Sequence, residues 1–266
     1  MPTYSGGRHE HGQNFLTDTT TINKIVKLVR RTEGPIVEIG PGRGALTFDL
    51  QELGRPLTVV EIDQRQARWL SVQLRRGVHV VNDDFLNWQL PDTPHVVVGS
   101  LLFHQTTAMM RKLLHAGRWT DAILLVQWEV ARRRAGVGGA TMMTAQWWPW
   151  ITFRLEARVP ATAFKPRPSV DAGLLTMSRR RNALVDPRLG NRYRAFVHAA
   201  FTGKGRGLPS ILARLCERGR HRTVEEWLVR ENIKKGTLPK DLSAQQWAEL
   251  FSLATPRGQG PAAAQR

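Results

Sequence analysis

The sequence predicts an α/β protein in which helices cover both faces of a parallel sheet, with a small all-helical domain behind it. Short apolar runs typical of buried strands alternate with amphipathic helical segments along the front of the chain, which indicates βαβ units. After Ser178 no convincing strand follows, and apolar residues recur only at helical spacing. We therefore expect a sheet domain over residues 1–182 and a helical domain over 183–266, with a frayed tail from about residue 255.

The elements of the sheet domain follow one another in a regular order. Asp18 is a suitable N-cap, and the apolar residues from Ile22 to Val29 lie at helical spacing, so the first helix is expected to end near Arg31. Pro35–Ile39 is a short apolar run that predicts a buried strand. Further strands are predicted at residues 57–62, 78–81, 95–98, 122–126, 152–159 and 173–177, with helices that end near residue 53 and that span 64–75 and 106–115.

The helical domain is predicted from apolar residues that share helical faces. These faces are formed by Tyr193, Phe196, Val197 and Ala200, by Leu208, Ile211, Leu212 and Leu215, by Trp227 and Leu228, and by Trp247, Leu250 and Phe251. No internal repeat is visible, which excludes a solenoid or another repeat architecture.

Charge is distributed unevenly between the two ends of the chain. Lys and Arg number 39 against 22 acidic residues, for a formal net charge of +17. Residues 1–100 hold equal numbers of basic and acidic side chains, so the whole surplus lies in residues 101–266. Because residues 1–100 are neutral and residues 101–266 are strongly basic, we expect the C-terminal part of the chain to bind a polyanion.

Composition also excludes several classes of protein. The single cysteine, Cys216, excludes an internal disulfide and a Cys-type zinc site, and it favours a reducing compartment. His9, His11 and His104 show no spacing that suggests a metal site, so no metal is expected. The N-terminal segment has no apolar signal region, and no apolar run is long enough to cross a membrane. We expect a soluble cytoplasmic protein.

A glycine-rich segment, Glu38–Gly44, lies between a predicted strand and a predicted helix. Glycines there allow a sharp turn and let a ligand approach the backbone closely. The spacing is G-x-G-x-G, which departs from the dinucleotide fingerprint G-x-G-x-x-G. Glu61 closes the next strand, 21 residues after Gly40, where a carboxylate would meet the hydroxyls of a ribose. The pattern favours a cofactor that carries a nucleoside, and the alternative is a tight turn with Glu61 at a solvated strand end.

The tripeptide Asp83-Asp84-Phe85 follows the third strand of this series. One of its carboxylates could accept from the exocyclic amine of an adenine, while the Phe85 amide donates to the ring and the side chain covers one face. The alternative is a polar turn before the following helix.

Six motifs occur together and in order, and with them the chain closely resembles the Erm family of ribosomal RNA adenine N6-methyltransferases. They are Gln13–Leu16, Glu38–Gly44, Val60–Asp63, Asn82–Leu86, Gln127–Arg132 and Phe164–Asp171, with Gln146–Trp150 and Phe201–Gly203 as further support. The resemblance implies a Rossmann-like methyltransferase sheet, S-adenosylmethionine as the methyl donor, and an adenine of 23S ribosomal RNA at the macrolide-binding site as the target. It also implies antibiotic resistance as the biological role.

The resemblance assigns the cofactor-binding residues by motif. Asn14 and Leu16 would border the methionine part, Gly40 would lie in the loop beneath the cofactor, Glu61 would hold the ribose, and the Asp84–Phe85 pair would meet the adenine. The full expected set is Asn14, Leu16, Gly40, Gly42, Glu61, Ile62, Asp84, Phe85 and Ser100.

The chain departs from the family at the expected acceptor site. The family pattern after the fourth strand is Asn-x-Pro-Tyr/Phe, whereas this chain has Ser100-Leu101-Leu102-Phe103. Adenine N6 is a poor nucleophile because its lone pair is delocalised into the ring, so oxygens that accept both N6 hydrogens should direct that lone pair toward the methyl group. Ser100 supplies a hydroxyl about one bond closer to the backbone than an asparagine oxygen, and Leu101 still supplies a carbonyl. Because misplacing an acceptor by about 1 Å can cost about 10²-fold, either a slow enzyme or one with a water-bridged acceptor is expected, in preference to an inactive protein.

Two phenylalanines are expected to stack on the target base, which gives Ser100, Leu101, Phe103 and Phe164 as the candidate catalytic set. Phosphate contacts are expected from Arg132, Arg133, Arg134, Lys165, Arg167, Lys204 and Arg206. The expected partner is 23S ribosomal RNA, naked or in a pre-assembled large subunit, with no membrane and a monomeric protein. Two alternatives stay open: an RNA-binding homologue whose catalysis has decayed at Ser100 and Leu102, and a small-subunit ribosomal RNA adenine dimethyltransferase.

Overall fold

The computed structural model describes residues 14–101, 103, 105–217 and 219–255 of the chain. These residues form two compact units. The first unit contains the chain up to Ala135 together with Thr152–Arg179, and the second contains Gly136–Ile151 together with the chain from Arg180 onward. Segment 136–151, expected in the sheet domain, therefore clusters with the helices. Beyond residue 255, the expected frayed tail lies outside the described residues.

A seven-stranded sheet forms the centre of the first unit, in the order β4-β3-β2-β5-β6-β9-β7. Its strands are β2 (Ile36–Ile39), β3 (Leu57–Glu61), β4 (Val78–Asn82), β5 (His95–Ser100), β6 (Trp119–Gln127), β7 (Ile151–Val159) and β9 (Ala172–Arg179). The strands from β4 to β6 pair in parallel, while β9 pairs antiparallel to β6. The α/β class is confirmed.

Two short strands, β1 (Phe15–Leu16) and β8 (Phe164–Lys165), form a separate antiparallel pair. The sequence did not predict either strand, because two residues carry no periodicity that can be recognised. The pairing brings the first described residues of the chain beside a segment almost 150 residues later, and the amide of Thr17 donates to the carbonyl of Ala163 at 2.8 Å.

Ten helices are present among the described residues. They are α1 (Thr19–Arg30), α2 (Thr47–Leu50), α3 (Gln64–Gln73), α4 (Thr106–His115), α5 (Trp128–Arg134), α6 (Met142–Trp147), α7 (Gly190–Thr202), α8 (Leu208–Leu215), α9 (His221–Arg230) and α10 (Ala244–Ala254). Asp18 caps α1 as expected and accepts from the amide of Thr21. None of these helices is long and apolar enough for a membrane crossing.

The parallel sheet is close-packed because its central strands are apolar on both faces. All four residues of β2 are buried. Between β2 and β5 the two backbones approach closely at Gly99, where a Cβ atom would lie 2.5 Å from the carbonyl oxygen of Ile39. Any residue other than glycine would therefore push these two strands apart. Ile39 and Gly99 immediately precede the two segments that the sequence marks as functional, Gly40–Gly44 and Ser100–Phe103.

The second unit is held together by aromatic side chains. Tyr193 on α7 meets Trp150 and Phe251 edge to face, with ring centroids 5.4 and 5.2 Å apart, and its hydroxyl donates to the carbonyl of Ala145 at 2.9 Å. Trp150 lies in the segment that the sequence assigned to the sheet domain, and its indole donates to the carbonyl of Val185. These contacts explain why residues 136–151 cluster with the helices.

His95 lies at the start of β5, and its burial is expected to make the stability of the fold sensitive to acid. Its Nδ1 donates to the Thr93 carbonyl at 2.8 Å, while the buried Nε2 has no partner among the described residues. Burial lowers the pKa of the imidazole below its ordinary value, so the unfolded chain binds a proton more readily than the folded one. Stability should be full above about pH 6.5 and fall below it, by at most about 1.4 kcal/mol per pH unit. Urea unfolding of His95→Gln should show a flatter pH dependence, whereas exposed His115→Gln should keep the wild-type slope.

Candidate active site

A cleft opens at the carboxyl ends of β2, β3 and β5, and its lining contains every residue that the sequence assigned to the cofactor. Those nine residues are Asn14, Leu16, Gly40, Gly42, Glu61, Ile62, Asp84, Phe85 and Ser100. The lining also includes Phe15, Glu38, Ile39, Pro41, Arg43, Ala45, Leu46, Val60, Asp83, Gln105 and Met109, which were not in the expected set. In open parallel sheets this edge is where ligands bind.

The glycine segment adopts a backbone that other residues rarely take. Gly40, Gly42 and Gly44 have φ values of 62°, 54° and 77°. A Cβ atom on Gly42 would lie 2.8 Å from the ring of Phe15, which packs directly over the turn. Arg43 in turn places its guanidinium 4.9 Å from the centre of the Phe15 ring. The turn is therefore a narrow cradle with room for the backbone alone.

Glu61 is held in place from two sides. Its Oε1 accepts from the amide of Asp63 and its Oε2 accepts from the amide of Gly42, both at 2.9 Å. Burial raises the pKa of this carboxyl above its ordinary value, and these two hydrogen bonds act in the opposite direction. Each carboxylate oxygen can accept more than one hydrogen bond, so both remain able to accept from a ligand hydroxyl.

Glu38 lines the cleft and belongs to the Glu38–Gly44 motif, although it was not expected among the cofactor-binding residues. The side chain is 1% exposed, and its Oε2 has no hydrogen-bond partner among the described residues. Burial raises the pKa of this carboxyl to about 8. An unpartnered buried oxygen beside a glycine cradle fits a ligand that brings a donor or a positive charge. The acid directly before the glycines is the sequence signal that marks it.

The loop after β4 forms the polar turn that was one of the two alternatives, and its residues also line the cleft, where contact with an adenine stays a prediction. Asp84 Oδ1 accepts from the amide of Leu86 at 2.8 Å, and Asp83 Oδ1 accepts from the amide of Asp84 at 2.7 Å, so both carboxylates shape a turn. Both also line the cleft, as does Phe85, whose side chain is 3% exposed.

Lys112 on α4 supports this loop from below, and the sequence did not mark it. Its Nζ donates to the carbonyls of Leu86, at 2.9 Å, and Trp88, and lies 5.1 Å from the centre of the Phe85 ring. Burial lowers the pKa of the ammonium, and the carboxylates of Asp84 and Asp83 oppose that shift. A lysine on a helix carries no signal of a partner more than 20 residues earlier, so only the structure reveals this contact.

The segment after β5 contains the expected acceptor groups. Ser100 ends the strand opposite Leu125 and lines the cleft. Leu101 is buried, and its amide donates to the carbonyl of Leu125 at 2.9 Å. Phe103 is partly buried against the core of the first unit. Leu102 and His104 lie outside the described residues.

Phe164 lies in the core of the first unit. Its side chain is 2% exposed, it pairs with Leu16 across the β1–β8 ladder, and it does not line the cleft. A stacking role for Phe164 stays a prediction, and it requires the ring to leave this packed position.

The residues expected to contact RNA occupy different environments. Arg132 and Arg133 on α5 lie within 4 Å of Glu129, while Arg134 is half-buried, and burial lowers the pKa of its guanidinium. Lys165, at the end of β8, and Arg167, on the loop after it, are both exposed. In the second unit Lys204 and Arg206 are exposed between α7 and α8. Cys216 is buried, which raises the pKa of its thiol to about 11, as expected for an inert cysteine.

The sheet order, the glycine cradle and the carboxylate at the end of β3 define a nucleoside-cofactor site of the kind found in Rossmann-like methyltransferases. The chain belongs to the ribosomal RNA adenine dimethylase family, whose model matches residues 5–255. This confirms S-adenosylmethionine as the cofactor, and the unpartnered Glu38 oxygen and the glycine cradle fit a nucleoside ligand with a positively charged centre.

Named relatives share most of the chain. The rRNA adenine N-6-methyltransferase of Corynebacterium diphtheriae is 55% identical over 215 residues, which cover 80% of this chain and 85% of that protein. The mycinamicin-resistance protein MyrB of Micromonospora griseorubida is 45% identical over 98% of this chain and 83% of its own length. The crystal structure of the 23S rRNA methyltransferase ErmE superposes with a TM-score of 0.84 at 32% identity, covering 91% of this chain and 99% of that one. The resemblance to the Erm family is confirmed.

Replacing Lys112 by methionine should raise the dissociation constant for S-adenosylmethionine about tenfold. The reason is that two carbonyls of the loop after β4 lose a charged donor, and such hydrogen bonds contribute about 1.5–3 kcal/mol. Calorimetric titration with the cofactor measures the change, and exposed Arg111→Met on the same helix is the matched control. An unchanged dissociation constant together with a lower melting temperature would show that Lys112 stabilises the fold without shaping the site.

Proposed function

We propose that this protein methylates N6 of an adenine in 23S ribosomal RNA at the macrolide-binding site and thereby gives resistance to macrolide antibiotics. Its class, an S-adenosylmethionine-dependent rRNA adenine N6-methyltransferase, follows from the family and from relatives that bear this name. The proposal for 23S RNA is supported by the likeness to ErmE over 91% of the chain, and the proposal for resistance by the likeness to MyrB. The observation that carries the methyl-transfer chemistry is the cleft in which the nine residues expected at the cofactor lie together.

Different residues of that cleft bind different parts of S-adenosylmethionine. Asn14 and Leu16 border the methionine part, Glu61 holds the ribose hydroxyls, and Asp84 with Phe85 contacts the adenine. Glu61 suits its role because two amides already orient the carboxylate. S-adenosylmethionine supplies a methyl group on a positively charged sulfur, so no further activation of that carbon is needed.

The acceptor residues direct the lone pair of the target nitrogen. Ser100 Oγ and the Leu101 carbonyl accept the two N6 hydrogens, which turns the lone pair out of the ring plane and toward the methyl group. Bound S-adenosylmethionine would supply the methyl carbon to N6 with its sulfur as the leaving group, and one N6 proton would pass to solvent. Phe103 stacks on the extruded base, which gains about 1–3 kcal/mol.

The basic residues Arg132, Arg133, Arg134, Lys165 and Arg167 contact RNA phosphates near the target. We assign the cofactor and the chemistry to the sheet domain and further RNA contacts to the helical domain. The protein acts as a monomer in the cytoplasm, on naked RNA or on an incomplete large subunit.

Incubation with tritiated S-adenosylmethionine and either protein-free 23S or 16S RNA tests this function. Label on one adenine of 23S RNA, mapped by primer extension, is the expected result. Label on 16S RNA alone would replace the proposal with the small-subunit dimethyltransferase. Measurable RNA binding without any label would instead identify a homologue whose catalysis has decayed.

A further inference from the structure

A concave basic surface lies in the second unit, at the beginning of α8. We call it the α8 pocket, a cavity of about 690 Å³ lined by Gly205, Arg206, Pro209, Ser210, Arg214 and Lys235. The lining includes three cationic side chains and no acidic one. Of the three, only Arg206 was expected to contact RNA from the sequence.

The loop that carries Arg206 is held firmly against the segment that carries Lys235. Gly207 has a φ of 96°, and a Cβ atom there would lie 2.0 Å from the carbonyl oxygen of Lys235. The next amide, of Leu208, donates to the carbonyl of Thr237 at 2.6 Å. On the other side of Arg206, a Cβ atom on Gly205 would lie 2.8 Å from the hydroxyl of Ser210. Contacts this close fix the backbone positions of the residues that bear the cationic side chains.

The three cations have no acidic partner among the described residues. Arg214 donates to the carbonyl of Lys204 at 3.2 Å, and Arg206 and Lys235 take part in no ion pair there. Five other cations of the same unit lie within 4 Å of a carboxylate, namely Arg188 with Asp186, Arg192 with Glu217, Arg222 with Glu226, Arg230 with Glu249 and Lys240 with Asp241. Six further cations of the unit also lie in no ion pair among the described residues: Arg180, Arg181, Arg194, Lys204, Arg220 and Lys234. The α8 pocket brings three cations without an acidic partner together in one concavity.

We propose that the α8 pocket binds a backbone phosphate of ribosomal RNA and gives the helical domain its own anchor on the substrate. The proposal rests on the proposed function, because it takes the partner to be the RNA that is methylated. Two guanidinium groups can each approach a phosphate through paired N–H donors, while the lysine adds a point charge. The N-terminal end of α8 adds a favourable field in the same place. A phosphate fits because the ligand must bring negative charge that the pocket itself lacks.

The test compares two triple variants with the same change in net charge. The pocket variant is Arg206→Gln/Arg214→Gln/Lys235→Gln, and the control is Arg192→Gln/Arg222→Gln/Arg230→Gln, whose three side chains are already paired with acids. Fluorescence anisotropy measures the dissociation constant of a labelled 23S RNA fragment over a series of KCl concentrations. The pocket variant should bind at least about tenfold more weakly, and its slope of log Kd against log salt should fall by about one for each lost phosphate contact.

Equal losses of affinity in both variants would overturn the proposal, since net charge alone would then explain them. No loss in either variant would also overturn it, since RNA would then bind without the pocket. Cofactor affinity should be unchanged in the pocket variant, because the α8 pocket shares no lining residue with the cofactor cleft. If the triple variant melts at a lower temperature, the exposed single change Lys235→Gln provides the same comparison against Arg222→Gln. Inorganic phosphate at constant ionic strength should compete with RNA for the wild type and compete less for the pocket variant.

Failure of the pocket and failure of the proposed function give different results. A wild type that binds 23S RNA without methylating it leaves the anisotropy comparison valid. If the wild type methylates 23S RNA and both triple variants bind RNA equally well, the pocket proposal is wrong while the proposed function stands. If an acidic protein segment were the occupant, RNA binding would not respond to the pocket variant, which also overturns the proposal.

Discussion

Glu61→Gln is expected to weaken S-adenosylmethionine binding about 100-fold and to leave RNA affinity unchanged. Glutamine has nearly the same shape but offers one oxygen in place of two, so its NH₂ group must face the amide of either Gly42 or Asp63, both of which are donors. Under the proposed ribose assignment, two charge-assisted hydrogen bonds would become neutral or be lost, and each such bond contributes about 1.5–3 kcal/mol. Calorimetric titration with the cofactor gives the dissociation constant directly.

Glu52→Gln is the matched control, because Glu52 is an exposed carboxylate of the same unit that pairs with Arg75 outside the cleft. Its cofactor affinity should equal that of the wild type. Wild-type affinity in Glu61→Gln would show that the ribose assignment is wrong. Loss of affinity in both variants would point to a general effect of charge.

Ser100→Ala should lower the rate of methyl transfer about 100-fold at saturating cofactor and RNA. The change removes the side-chain acceptor at the end of β5 and leaves the carbonyl of Leu101 as the remaining one. In the opposite direction, Ser100→Asn combined with Leu102→Pro should raise turnover, since it restores the family pattern around the target nitrogen. Single-turnover incorporation of a labelled methyl group separates the chemical step from binding and release.

Cofactor affinity provides the internal control for these variants. Ser100 lines the same cleft as Glu61. If Ser100→Ala changes the rate of methyl transfer but not the dissociation constant of S-adenosylmethionine, the Ser100 hydroxyl acts on the target adenine and not on the cofactor. A Ser100→Ala enzyme as fast as the wild type would remove Ser100 from the chemistry. Equal or lower turnover in the restored pattern would mean that this cleft aligns the nitrogen in another way.

Local sequence patterns are sufficient to predict the central sheet and the cofactor cleft. The glycine spacing of Glu38–Gly44 and the carboxylate of Glu61 are separated by one βα unit, and parallel pairing of β2 and β3 brings them to the same edge. Thr106–His115 has the predicted bounds because its apolar face is strongly periodic. Sequence therefore predicts the site residues that lie at the ends of regular strands and helices, because the periodicity of those elements can be recognised.

Contacts between distant segments could not be predicted in the same way. Lys112 and Leu86 are 26 residues apart, and nothing in either neighbourhood indicates the other. The β1–β8 ladder and the aromatic contacts of Trp150 likewise depend on tertiary packing. The unpartnered oxygen of Glu38 is a property of burial, which a single sequence does not contain.

The close passage of β2 and β5 at Gly99 has a consequence for inhibitor design. Because Gly99 lets the two strands approach this closely, the cradle after Ile39 and the residue Ser100 lie at the ends of paired neighbouring strands, and that pairing sets the distance between them. A compound that joins a nucleoside to a second adenine must therefore carry a tether of one set length. Resistance to such a compound could not arise by widening the gap, since any bulkier residue at position 99 would also misalign the natural reaction.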